Sequence, residues 1–174
     1  ALWSEQDLAD YLKTARNDML ESFGPMNEVI INSTRYLESQ DIEAMVTYLK
    51  SLPAVPERQA AVPDPEIMGR GRTIYNLHCG TCHLPTGEGD PDMAPRLDRG
   101  SLVVQDENPT SMINVILYGP HLPSPPLLPK WREPMEDFQY LLDDEEVAAA
   151  ATFIRHSWGN ASGIVTTDQV ARQR

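Results

Sequence analysis

Cys79-Gly80-Thr81-Cys82-His83 holds both cysteines of the chain and one of its four histidines. The pattern Cys-x-x-Cys-His is that of c-type haem attachment. Two thiols add across the two vinyl groups of the porphyrin, so their spacing must match the edge of the ring. The histidine next in sequence can then turn beneath the ring and offer an imidazole nitrogen to the iron. Other uses of these residues fit less well. A redox dithiol of the thioredoxin type sits at the end of a strand in a βαβ unit, and nothing nearby reads as one. A structural zinc site needs four ligands, and a second Cys or His pair at ligand spacing is missing. A disulfide across two residues closes too short a loop to be a useful staple.

A six-coordinate iron needs a ligand opposite His83, and Met135 is the best candidate. It stands in an irregular loop just before a strongly helical segment, with enough chain after His83 to wrap the ring and return. The rivals are weaker on position. Met112 has core spacing on a helix, Met93 would have to double back sharply, and Met68 precedes the motif. His121, between two Pro-containing pairs, is the bis-histidine alternative. Met26 would serve only if the N-terminal segment reached this haem or another one. His78 and His156 read as surface or packing residues. Arg96, Arg99 and Trp131 are the nearby polar donors suited to holding the haem propionates.

The elements that must position these groups read as helices. Ser4-Glu5-Gln6-Asp7 resembles a capping box and is followed by Leu8, Tyr11, Leu12, Ala15 and Met19 at helical spacing, with Gly24-Pro25 as the break. A second helix begins near Ser39, carries Ile42, Met45, Val46 and Leu49 on one face, and ends before Pro53. Residues 53–65 read as an extended linker. A third helix, from about Pro65 to Leu77, delivers the chain into the haem motif. A Gly/Pro/Asp-rich loop through Arg99 follows, then a helix from Pro109 to Leu117 with Met112, Ile113, Ile116 and Leu117 as its apolar positions. After a Pro-rich loop from Gly119 to Pro134, Asp143 and Glu146 cap an Ala-rich helix that runs to His156. Thr167 is a candidate cap for a short last helix. With no strand pattern, the expected fold class is all-α.

One internal repeat is present. Residues Ile42 to Lys50 parallel Val147 to Arg155, and a Pro-Met pair lies upstream of each helix, Pro25-Met26 and Pro134-Met135. Residues 1–60 therefore read as the back half of a second haem domain without its Cys-x-x-Cys-His, joined by a linker to a complete domain over 61–174.

The whole chain bounds the function. Its 174 residues hold one ordinary domain, or one small domain with an appendage, and no apolar run is long enough to cross a bilayer. The sequence opens at Ala1 with no basic region followed by an apolar stretch, so a signal peptide is expected to be absent or already removed. Covalent haem is assembled outside the cytoplasm, so the motif points to the periplasm. A net charge of −12 argues against nucleic acid as a partner. The charge reads mainly as solubility, with steering of a basic partner as a lesser role.

These residues resemble class I cytochromes c. Gly71-Arg72-Thr73-Ile74-Tyr75 ahead of the Cys79 motif looks like the family's first helix, and Ala94-Pro95-Arg96-Leu97 looks like its Pro-x-Leu turn. The resemblance implies that the Pro95 carbonyl accepts a hydrogen bond from His83, orienting it and raising its basicity. It also implies that Tyr75 and Phe153 meet where the first and last helices cross, with Gly71 permitting close approach. Trp3-Ser4 to Thr14, Met26-Asn27-Glu28-Val29, Tyr48 to Pro53, Ser157-Trp158-Gly159-Asn160 and the tail from Val165 are similar to multihaem cytochrome c subunits of membrane-bound alcohol and gluconate dehydrogenases. That family carries three such domains in tandem and passes electrons from a dehydrogenase to ubiquinone. The chain departs from it after Met135, where Glu136-Asp137-Phe138 replaces proline and a small residue before the aromatic.

The expected function is a periplasmic monohaem electron carrier working between a dehydrogenase-type donor and a respiratory acceptor, with association to a membrane complex through those partners. One covalent haem c is the expected cofactor. No residue is expected to act as acid, base or nucleophile. Two alternatives stand beside it: a haem enzyme acting on thiosulfate or peroxide, and the C-terminal fragment of a longer multihaem electron-transfer subunit.

Overall fold

A computed structural model describes residues 3–17, 19–53, 61–98, 101–121 and 135–174. Among these residues the regular structure is helical, with isolated β-bridges at Arg16–Glu21 and Asp90–Ala94 and no strand. The chain divides into two compact units. Residues 1–57 with 121–132 form one, and 58–120 with 133–174 form the other.

In the first unit, α1 (Glu5–Thr14) starts on the expected capping box: the Ser4 side chain accepts from the Asp7 N–H, and the Asp7 carboxylate accepts from the Ser4 N–H. The helix is shorter than the apolar spacing predicts. Ala15 turns left-handed at φ 68° and closes onto the Tyr11 carbonyl, so Met19 lies beyond the helix. Gly24-Pro25 does not merely break a helix. Pro25 occupies the first turn of a new one, α2 (Pro25–Asn32), where its missing N–H costs nothing. The Thr34–Tyr36 3₁₀ turn leads to α3 (Ser39–Ser51). Leu12, Ile42 and Val46 form a small core, with Leu8, Leu37 and Met45 packed on it.

The second unit holds the larger core. Asp64 caps α4 (Pro65–His78), which passes through Cys79 into the single turn α5 (Gly80–His83). The short α6 (Leu102–Gln105) has too little periodicity to be read from sequence. It is followed by α7 (Thr110–Tyr118), with Met112, Ile113, Ile116 and Leu117 buried as their spacing predicts. The capping box of Asp143 and Glu146 starts α8 (Asp144–Arg155). Thr166, one residue before the expected cap, starts α9 (Thr167–Ala171).

The most extensive helix pairing is α4 against α8. Gly71 makes it: a Cβ there would sit 2.2 Å from the Ala149 carbonyl oxygen and 2.6 Å from the Phe153 Cβ. With nothing at that position the backbones meet, and the Tyr75 and Phe153 rings pack tilted, 5.6 Å apart, across the crossing.

Candidate haem-binding site

Helix α4 delivers the motif into the core of the second unit. The Cys79 side chain packs against the apolar cluster that includes Ile74, Tyr75, Ile113 and Phe138. Burial, aided by the neighbouring Cys82, pushes the Cys79 thiol up to about 12, so this sulfur is neutral at physiological pH. A thioether is also neutral, and its burial in the same cluster costs no ionic desolvation.

His83 is buried at the end of α5, and its Nδ1 lies 2.8 Å from the Pro95 carbonyl oxygen. A carbonyl can only accept, so Nδ1 carries the proton and Nε2 keeps its lone pair. Burial holds the imidazole below the usual histidine value, while the Pro95 bond pulls the other way. The ring is therefore neutral near pH 7, the form that ligates metal. The hydrogen bond that the Pro-x-Leu resemblance implies is thus present.

The loop that returns Pro95 to His83 is tied at several points. The His83 carbonyl accepts from the Gly89 N–H at 3.0 Å, and the Leu84 carbonyl accepts from the Tyr75 hydroxyl at 2.5 Å. Burial raises the Tyr75 phenol well above its ordinary value, so that hydroxyl remains a donor. Both Leu97 and Asp98 donate backbone N–H groups to the Gly87 carbonyl.

Met135 lies half-buried against the same cluster as Cys79. Its loop is pinned to the end of α7: Phe138 N–H donates to the Ile116 carbonyl at 3.1 Å and Gln139 N–H to Leu117 at 3.0 Å. The remaining candidates divide. Arg96 is engaged by Asp98 at 2.6 Å through both Nε and Nη2, so this carboxylate competes with any propionate. Trp131 and Arg99 lie outside the described residues. The His121 backbone belongs to the first unit, where its carbonyl accepts from Gly24 N–H and from the Asn27 side chain. Met112 is in the core as expected, and the exposed His78 lies edge-on to Phe138.

Two residues that the chemical reading passed over tie down the loop that carries Pro95. The Asn160 side chain donates to the carbonyls of Leu97 and Ile154, each at 2.8 Å, and accepts from Gln105 Nε2 at 2.5 Å. Trp158 donates through Nε1 to the Pro85 carbonyl at 3.1 Å. The available signal was the Ser157-Trp158-Gly159-Asn160 run, which carried a resemblance but no assigned role.

A neutral sulfur in an apolar cluster, an imidazole locked in the Nδ1–H form and a methionine on the same core are donor types that haem ligation can use. The family model for cytochrome c matches residues 68–158, more than half of the chain. Over 99% of its length, the chain is 38% identical to an alcohol dehydrogenase (quinone) cytochrome c subunit of Komagataeibacter europaeus, of which the match covers 39%. It is 33% identical to a gluconate 2-dehydrogenase cytochrome c subunit of Pantoea cypripedii and 31% identical to a fructose dehydrogenase cytochrome subunit of Gluconobacter japonicus, with 41% and 40% of those proteins covered. The chain thus spans about two fifths of the length of these relatives. Motif, locked imidazole and family match together make this chain a member of the cytochrome c family, with covalently bound haem c as its cofactor.

Proposed function

We propose that residues 61–174 form an electron-transfer domain in which Cys79 and Cys82 provide the thioethers and His83 and Met135 the axial ligands. The observation that carries this reading is the 2.8 Å contact between His83 Nδ1 and the Pro95 carbonyl, which leaves Nε2 available to the iron. Haem c supplies a one-electron Fe(III)/Fe(II) couple when bound. The chain's own residues orient and insulate. Pro95 holds the imidazole plane and raises its basicity. The cluster of Ile113, Ile116, Leu117 and Phe138 keeps water from the buried side, and Met135 favours a higher reduction potential than a second histidine would. None of these residues has an acid, base or nucleophile role.

The relatives are named as cytochrome subunits of dehydrogenases, which supports a dehydrogenase as electron donor; a respiratory acceptor, reached in the periplasm at a membrane complex, completes the proposed role. Among the described residues no helix is long and apolar enough to cross a membrane.

A second reading, that residues 1–60 are part of another haem domain, is supported by the repeat. Phe153 on α8 is 6% exposed and Ile154 3%, whereas their counterparts Tyr48 and Leu49 on α3 are 65% and 40% exposed. In α8 this face is covered by α4, and α3 shows the same sequence pattern with its aromatic uncovered.

Intact mass and haem quantitation of the full chain test both readings. One haem per chain, with the long-wavelength absorption of methionine-ligated ferric haem that is lost in Met135→Ala, is the expected result. A low-spin spectrum unchanged in Met135→Ala would refute the ligand assignment. Turnover of thiosulfate or peroxide by the wild type would favour the enzyme alternative instead.

A further inference from the structure

We propose that Asn160, seated by the left-handed turn at Trp158-Gly159, is a positioning residue for the His83 imidazole, and that it sets the haem's reduction potential by fixing the carbonyl to which His83 donates. The inference rests on the ligand role given to His83 above.

The Pro95 carbonyl has no helix or strand to hold it in place. It sits in the irregular loop 84–98, and loop backbone drifts unless tied. Asn160 is buried, and both its amide N–H donors and its carbonyl oxygen are engaged. One donor holds Leu97, two residues from Pro95. The other holds Ile154 on the last turn of α8, and the acceptor takes Gln105 of α6. The amide therefore references the loop to two helices of the core. Leu97 passes the constraint back toward the haem motif, because its own N–H donates at 2.7 Å to the Gly87 carbonyl.

Trp158 clamps the other limb of the loop. Its indole donates to Pro85, and its ring lies where a Gly87 Cβ would be, 2.3 Å from Trp158 Cε3. Gly87, at φ +70°, is therefore required twice, for its conformation and for the ring. Trp158 itself is left-handed at φ 53° and Gly159 follows at φ 85°. A bulky residue keeps such a backbone only when its surroundings over-determine it. Here they do: the ring packs 4.9 Å from Tyr75 and 5.5 Å from Phe153, and Asn160 N–H donates to the Ser157 carbonyl at 2.9 Å. The turn thereby aims the Asn160 amide at Leu97.

The consequence follows from the electronics of the ligand. A firm Nδ1–H···O=C bond makes the imidazole a stronger donor and stabilises ferric iron, which lowers the potential. If the loop loosens, that bond lengthens and the potential rises.

The test compares the full haem-loaded chain with Asn160→Ala, Trp158→Phe and the control Val170→Ala. The control shortens a fully buried side chain of α9 without touching the loop. All three changes are neutral, so no shift can be ascribed to added charge. Equilibrium redox titration and NMR exchange of the His83 Nδ1 proton are the readouts. Asn160→Ala should raise the potential and speed proton exchange by about tenfold, the scale on which outer-layer partners act on a metal site. Trp158→Phe should move both in the same direction by less, and Val170→Ala should lower the melting temperature and move neither. Wild-type potential and exchange in Asn160→Ala overturn the inference. If that variant takes up no haem, unchanged values in Trp158→Phe overturn it equally. A wild type without a hyperfine-shifted Nδ1 signal from His83 overturns the ligand assignment itself, a result distinct from either of these.

Discussion

Gly71 of α4 and Phe153 of α8 approach so closely that a Cβ on the glycine would lie 2.6 Å from the Phe153 Cβ and 2.2 Å from the Ala149 carbonyl oxygen. The second contact is with backbone, so rotating a side chain cannot relieve it. Gly71→Ala should force α4 and α8 apart, at the 1–3 kcal/mol or so typical of overpacking. Thermal unfolding of the haem-loaded protein measures this. The Tyr75–Phe153 ring contact should loosen with it, so near-ultraviolet circular dichroism should change in step. A wild-type melting temperature in Gly71→Ala would show that the crossing is not tight.

Much of this architecture is legible in the sequence, for physical reasons that vary along the chain. The capping boxes at Ser4 and Asp143 are local hydrogen-bond patterns fixed by residue type at a three-residue spacing, and both form as read. The buried face of α7 follows from its periodicity. The end of α1 did not follow, because Tyr11, Ala15 and Met19 continue a helical spacing that Ala15 interrupts by a backbone choice no side chain dictates. Met135 and His83 are legible as chemistry. Asn160 is not, since an asparagine becomes a hub only when three distant segments converge on it. Its partners Leu97, Gln105 and Ile154 come from a loop, α6 and α8.

Arg155 is fully buried at the end of α8, where burial lowers its pKa from the ordinary value. Its guanidinium donates to the carbonyls of Gly163 at 2.7 Å, Val104 at 3.1 Å and Glu107 at 3.5 Å. It thus ties α8 to both the α6 segment and the C-terminal tail. Arg155→Met should leave the carbonyl of buried Val104 without this donor, at about 1–3 kcal/mol if no water replaces it, while the exposed Gly163 and Glu107 can turn to solvent. Arg155→Lys should recover little, because an ammonium cannot reproduce a planar fork with separated donors. Chemical denaturation of both variants decides this, and full rescue by lysine would refute the fork.

His156 caps α8 with its Nε2 shielded and without a hydrogen-bond partner among the described residues. Burial, and then the charge of Arg155, hold it below the ordinary histidine value. The unfolded chain therefore binds the proton more readily than the folded one. The stability from neutral His156 is fully present above the unfolded pKa of 6.5 and is lost as pH falls through the folded value. As pH falls below 6.5 the melting temperature should fall, and His156→Gln should flatten that fall. An identical acid limb in the variant would assign it to other groups.

Met135 is held by its backbone surroundings, with the Phe138 and Gln139 N–H groups bonded to the end of α7 and the Met135 carbonyl 3.0 Å from where a Gly119 Cβ would stand. Because its side chain is only half-buried at the margin of the core cluster, exchange of the side chain should leave the fold intact. Met135→His should keep a six-coordinate low-spin iron and lower the reduction potential, since thioether ligation favours the ferrous state relative to imidazole. Met135→Ala should instead open the position, so that added imidazole binds the ferric protein much faster than it binds wild type. Redox titration and stopped-flow ligand binding separate the two effects. An unchanged potential in Met135→His, together with unchanged imidazole binding in Met135→Ala, would move the ligand role away from this loop and reopen the case for His121.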